Sequence, residues 1–109
     1  MAHPQRIPVD GAELAFTVHG HGELVVLIHG ALAEAFLPLL TEPALTERYR
    51  LIAYDRRGYS NSTLSTPVDI PGHAADCRAL LDHLGITQAH IVGHSYGANV
   101  ALQLALDEP

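Results

Sequence analysis

The sequence contains no lysine: all 6 of its basic residues are arginine. Set against 12 Asp and Glu, they leave a net charge of −6. Non-specific nucleic-acid binding and adhesion to anionic membranes need clustered positive charge, so neither partner is expected. There is 1 cysteine, Cys77. It has no intrachain partner for a disulfide, which suits a reducing, cytoplasmic setting. Apolar runs stay far below the roughly 20 residues of a bilayer-spanning helix. The stretch Met1 to Pro8 lacks the apolar segment of a secretory signal. No fixed-period repeat or low-complexity stretch occurs. With 109 residues, 48% hydrophobic and 17% charged, the chain has the make-up of one small folded domain.

What is present is an alternation of short apolar runs with longer helical patterns. Glu13 to His19 alternates, with Leu14, Phe16 and Val18 on one side, as a strand near a sheet edge does. The preceding Val9-Asp10-Gly11-Ala12 reads as a hairpin turn from a short first strand, Ile7 to Val9. Gly20-His21-Gly22 breaks the chain. Leu24 to Ile28 is continuously apolar, a strand buried on both faces, and Leu51 to Tyr54 is another. Between them, Phe36 to Leu40 and Ala44 to Tyr49 are expected to be helical, interrupted by Pro43. Arg56 to Pro67 is rich in Ser, Thr and Gly and reads as a loop.

Ala74, Cys77, Leu81 and Leu84 recur at helical spacing. Asp69 is expected to cap that helix, Pro71 to sit in its first turn and Gly85 to follow its end. Ala89 to Val92 is the next strand. Tyr96 to Asp107 is a helix apolar almost all round, with one polar stripe of Asn99, Gln103 and Asp107. Its small residues Gly97, Ala101 and Ala105 are expected to lie close against a sheet. The order β-β-β-α-β-α-β-α predicts an α/β fold: a mostly parallel sheet with an antiparallel N-terminal edge.

Two segments carry chemistry. Gly93-His94-Ser95-Tyr96-Gly97 fits G-x-S-x-G between a predicted strand and a predicted helix. A Ser on such a tight turn is held in a strained conformation with its hydroxyl exposed. Its neighbours must be small because strand and helix cross closely there. The following helix aims free N–H groups at the reacting centre. Ser95 is therefore the candidate nucleophile. The second segment is His29-Gly30-Ala31, at the end of a buried strand. Acyl transfer builds negative charge on a carbonyl oxygen, and two N–H groups must already point at it. Tyr96 can supply one, and Ala31, with Leu32 as the alternative, the other.

With LVVLIHG (24–30), DRRGYSNS (55–62), the helix Ala74 to Leu84 with Gly85 after it, and IVGHSYGANVA (91–101), the chain resembles the N-terminal part of a serine-dependent α/β-hydrolase-fold protein. Its departure is Ser60, where glycine is more usual. The resemblance implies that residues 1–109 are the N-terminal portion of a single α/β-hydrolase domain, ending after the nucleophile helix. It implies hydrolysis of an ester or related acyl substrate, and no cofactor. Ser95 points away from the epoxide hydrolases and haloalkane dehalogenases of this fold, which use Asp there.

The family orders its triad as Ser, acid, His. Only residues 96–109 follow Ser95 here; they hold Asp107 and Glu108 but no His. These acids lie roughly 18 Å along the helix from Ser95. The chain alone is therefore expected to be inactive and to self-associate through its open last strand. The alternative is a non-catalytic remnant or interaction module. Cofactor-free haloperoxidase-like, C–C hydrolase and thioesterase chemistry remain open for a complete protein. Of the 8 histidines, His29 and His94 are expected near Ser95, neither as its base. His3, His19, His21, His73, His83 and His90 read as loop or core residues, and no metal site is expected. Arg56-Arg57 reads as a solvated or loop-bracing pair. Tyr59, Tyr96 and Phe36 are candidates to line an acyl pocket or simply to pack.

Overall fold

A computed structural model describes residues 4–64 and 67–109. His3 and Ser65 lie outside them. The N-terminal hairpin joins β1 (Gln5–Val9) to β2 (Ala12–Gly20), with Val9 opposite Ala12. The turn between them is possible because Gly11 takes φ +79°. β3 (Glu23–Ile28) leads into a 3-10 turn, Ala33–Phe36, then α1 (Leu37–Leu40) and α2 (Pro43–Thr46). β4 (Tyr49–Tyr54), α3 (Ile70–His83), β5 (His90–Gly93) and α4 (Tyr96–Asp107) complete the order.

The strands form one sheet in the order β1-β2-β4-β3-β5. β1 and β2 are antiparallel to each other, and β2 to β4, whereas β3 runs parallel to β4 and β5. This is the predicted α/β arrangement. Alternation along β3 divides its residues between two cores. Val26 and Ile28 join Leu14, Phe16 and Ile52 against Ala74, Cys77 and Leu80 of α3 and Val100 and Leu104 of α4. Val25 and Leu27 face the other way, with Leu51, Phe36 and Leu40. Each aliphatic side chain buried this way contributes about 1.5–3 kcal/mol.

Asp69 caps α3 by accepting from the Gly72 N–H at 2.9 Å. Gly85 follows that helix at φ +70°, the left-handed geometry for which glycine suits a helix end. Three expectations need correction. The helix expected to reach Tyr49 stops at Thr46, because Tyr49 pairs with Glu23 at the start of β4. Pro43 opens that helix rather than interrupting it, since the first turn needs no N–H from it. On α4 the buried row is Gly97, Val100 and Leu104; Ala101 is half-buried and Ala105 exposed. Only Gly97 makes the close approach. Leu102 and Leu106 remain 66% and 78% exposed, and Leu102 lines a groove with His90, Ile91 and Gly93 of β5.

Candidate active site

The chain order β3, β4, β5 places β4 on one side of β3 and β5 on the other. After β3 the chain packs α1 on one face of the sheet; after β5 it packs α4 on the opposite face. Ligands of open α/β sheets bind at the carboxyl ends of strands where the order reverses in this way. Ile28 pairs with Gly93, so the ends of β3 and β5 are level, and His94 N–H donates to the Ile28 carbonyl at 3.0 Å.

Ser95 sits in the turn between β5 and α4 at φ +57°, ψ −121°. Left-handed φ is strained for a residue with a β-carbon. The strain is held by crowding on both sides of the turn. A β-carbon on Gly93 would meet the Gly97 carbonyl oxygen at 2.3 Å; one on Gly97 would meet the Ile28 oxygen at 2.1 Å. The Ser95 side chain is exposed and makes no capping hydrogen bond. The predicted residues of both segments are therefore brought together. A β-carbon on Gly30 would reach the Ser95 Cβ at 2.9 Å and the Tyr96 nitrogen at 3.4 Å. Among the described residues, neither the Tyr96 nor the Ala31 N–H donates a hydrogen bond.

His29 and His73 lie buried beside this turn, each with its tautomer set by Arg56. The Arg56 N–H donates to His29 Nε2 at 2.9 Å, so His29 carries its proton on Nδ1 and donates it to the Gly30 carbonyl at 2.8 Å. Burial lowers the His29 pKa, and the Arg56 charge adds to this against the Gly30 hydrogen bond. Arg56 Nη1 donates to His73 Nε2 at 3.0 Å. Burial and then the Arg56 charge push His73 down to about 4. Both rings are neutral near pH 7. His94 is exposed and meets Phe36 edge-on at 6.4 Å between ring centres. His19 Nε2 lies 2.9 Å from the Thr17 hydroxyl.

Arg56 was not legible as a site residue. Of the two readings of the Arg56-Arg57 pair, solvated or loop-bracing, the second holds: Arg56 is 1% exposed and donates to the His29 and Gly30 carbonyls, and Arg57 forms a two-point ion pair with Asp76 at 2.8 Å. Tyr59 and Tyr96 stack over the Arg56 guanidinium, and Phe36 joins the second core. Ser60 adopts φ +46°, a conformation that glycine takes without strain. Ser62 is buried, its hydroxyl accepting from Ala15 N–H and donating to the Asp55 carbonyl. Burial pushes the Cys77 thiol up to about 11, so it stays protonated and unreactive. Asp107 accepts from Gln103, and Glu108 pairs with Arg78 of α3, at the far end of α4 from Ser95. Among the described residues no three His, Cys, Asp or Glu side chains cluster as metal ligands.

The family profile of the α/β hydrolase fold matches residues 23–109. The chain belongs to the α/β-hydrolase fold family. Within the family, it is 38% identical over 110 residues to the Caulobacter segnis protein named "Putative carbamate hydrolase RutD", covering 93% of this chain and 40% of that one. It is 32% identical over 111 residues to a Burkholderia fluoroacetate dehalogenase, covering 94% of this chain and 36% of that one. The solved structure titled "Est816 as an N-Acyl homoserine lactone degrading enzyme" superimposes with a TM-score of 0.85 at 30% identity, over 96% of this chain and 41% of that one. This α/β-hydrolase chain thus spans 40% or less of the length of these curated relatives.

Proposed function

We propose that Ser95 is the nucleophile of an α/β-hydrolase acting on an ester or related acyl substrate. One observation carries the reading: Ser95 holds a strained φ of +57° between β5 and α4, with its hydroxyl unengaged among the described residues and the Gly30 backbone against it. The Ser95 Oγ attacks the substrate carbonyl. The N–H groups of Tyr96 and Ala31 receive the oxyanion as it forms. Serine at this position favours acyl transfer over the dehalogenase chemistry named for one relative. The lactone-degrading title of a structural neighbour fits the same class.

Attack requires a base to take the Ser95 proton. His29 and His73 have the nitrogens facing Arg56 engaged as acceptors, and both rings resist protonation. The family's order Ser, acid, His puts the base and the acid that orients it after the nucleophile, and on this reading both come from outside residues 1–109. These residues form the N-terminal portion of one hydrolase domain. Taken alone they retain no more than the residual acceleration that oxyanion donors supply, on the order of 10³-fold over water. No described helix is long and apolar enough to cross a membrane. Buried, unpaired Cys77 suits a cytoplasmic setting.

The test is covalent capture. In the complete protein a fluorophosphonate or activated ester should label Ser95, read by peptide mass spectrometry, and Ser95→Ala should abolish the label and cut turnover to the residual level. An adduct on Ser60, Ser62 or Ser65 would overturn the assignment.

A further inference from the structure

Arg56 is buried, yet among the described residues no carboxylate lies within ion-pair distance of it. Its guanidinium is held by neutral acceptors: Nε donates to the His29 carbonyl at 2.9 Å, Nη2 to the Gly30 carbonyl at 2.8 Å and Nη1 to His73 at 3.0 Å. The rings of Tyr59 and Tyr96 lie over it at 4.5 and 4.9 Å. A guanidinium taken out of water without a counter-charge is costly, so such burial calls for a physical account.

The bond to Gly30 supplies one. A peptide unit is planar and trans, so its C=O and N–H point in opposite directions. The Gly30 carbonyl and the Ala31 N–H belong to the same unit. Holding the oxygen fixes where the N–H points. The other donor on that oxygen, His29 Nδ1, is itself held by the Arg56 backbone N–H. The remaining contacts of Arg56 reach the other half of the site. The His29 carbonyl that it holds lies against Gly97, where a β-carbon would come within 2.7 Å, and the ring that it stacks on belongs to Tyr96.

We propose that Arg56 is a positioning residue for the oxyanion site, clamping the Gly30–Ala31 peptide so that the Ala31 N–H faces Ser95. A charged donor on the carbonyl also polarises the peptide and strengthens its N–H as a donor. The unneutralised charge favours a negative oxygen nearby. The proposal rests on the Ser95 reading above and adds to it a residue that touches neither substrate nor nucleophile.

The test compares wild type with Arg56→Met, which keeps length but loses charge and donors, and with Arg56→Lys, which keeps charge and one donor. The primary readout is the 15N order parameter of the Ala31 amide, taken relative to β3 amides of the same sample so that any self-association cancels. The expected value is about 0.85 in wild type, falling below about 0.6 in Arg56→Met with β3 unchanged. In the complete protein, which supplies the base, Ser95-dependent cleavage of p-nitrophenyl acetate should fall on the order of 10²-fold in kcat, with KM within about twofold. Arg56→Lys should recover part of both. A merely structural role would lower Tm and leave the Ala31 amide rigid. A rigid Ala31 amide in folded Arg56→Met overturns the proposal, as does a mobile one in wild type. If neither variant folds, the wild-type coupling across the Arg56 Nη2–Gly30 carbonyl hydrogen bond decides: its detection supports the clamp and its absence overturns it. In the complete protein, ester cleavage undiminished by Ser95→Ala would sink the nucleophile reading while the Ala31 amide still judges the clamp.

Discussion

A β-carbon placed on Gly30 would stand 2.9 Å from the β-carbon of Ser95. The loop after β3 and the turn after β5 are thus in backbone contact, and the geometry between them leaves no room for adjustment by side chains. A side chain at position 30 would have to displace the Ser95 turn, since it would also meet the His94 carbonyl oxygen at 2.8 Å.

This contact predicts a ranking of substitutions. In the active protein, Ala31→Pro removes an N–H donor and should lower kcat by about 10²–10³-fold, provided the loop keeps its shape. Ser95→Ala should cost several orders of magnitude in kcat with substrate affinity little changed, because the hydroxyl acts in the chemical step. Tyr96→Phe should do much less, since the proposed donor is the backbone N–H and not the phenol. Steady-state kinetics on an activated ester gives the order. If Tyr96→Phe matches Ser95→Ala, the oxyanion assignment is wrong.

Glycine substitutions should separate crowding from strain. Gly97→Ala drives a methyl group to 2.1 Å from the Ile28 oxygen, a backbone atom of β3. It should destabilise by roughly 1–3 kcal/mol or more. Gly85→Ala meets nothing within 4 Å and carries only the strain of φ +70°. That strain costs about 1–2 kcal/mol. Urea denaturation of the two variants tests the difference; a smaller loss for Gly97→Ala than for Gly85→Ala would refute the crowding argument.

Acid should destabilise the fold through His73. Its pKa is pushed down to about 4 in the folded state, against about 6.5 when exposed. Below about 6.5 the unfolded chain takes a proton that the folded chain refuses, so stability falls as pH drops toward 4. The loss approaches about 3 kcal/mol from His73, and His29, lowered in the same direction, adds to it. Thermal melts at pH 7, 5.5 and 4.5 should show the decline, and His73→Gln should flatten it. Stability that holds level between pH 7 and 5 would contradict the neutral assignment of both rings.

The free edge of β5 should drive self-association of residues 1–109. Beside it runs a groove of about 1210 Å³, lined in part by Leu24, Ile91, Ala101 and Leu102. Open backbone groups next to apolar surface template strand pairing between copies. Size-exclusion chromatography should give oligomers or aggregate. A sharp monomer peak with a cooperative thermal transition would be the contrary result.

Much of this protein was decided by residues close together in the chain. Gly93 and Gly97 flank Ser95 at two residues on either side, so the strand–turn–helix and its strained serine are legible without any distant contact. The same holds for the Asp10-Gly11 hairpin and the Asp69 cap of α3, whose physics is complete within a few residues. Tertiary structure alone decided the rest. Arg56 reaches His29 27 residues away and His73 17 residues away. No local pattern tells that a loop arginine turns inward, because its acceptors exist only once β3, β4 and α3 have packed. Likewise, the polar stripe of Asn99, Gln103 and Asp107 marked the outer side of α4 but did not tell which of its many apolar residues turn inward. Contact of Gly97 with β3 set that rotation, and with it Leu104 went to the core and Ala105 to the outside.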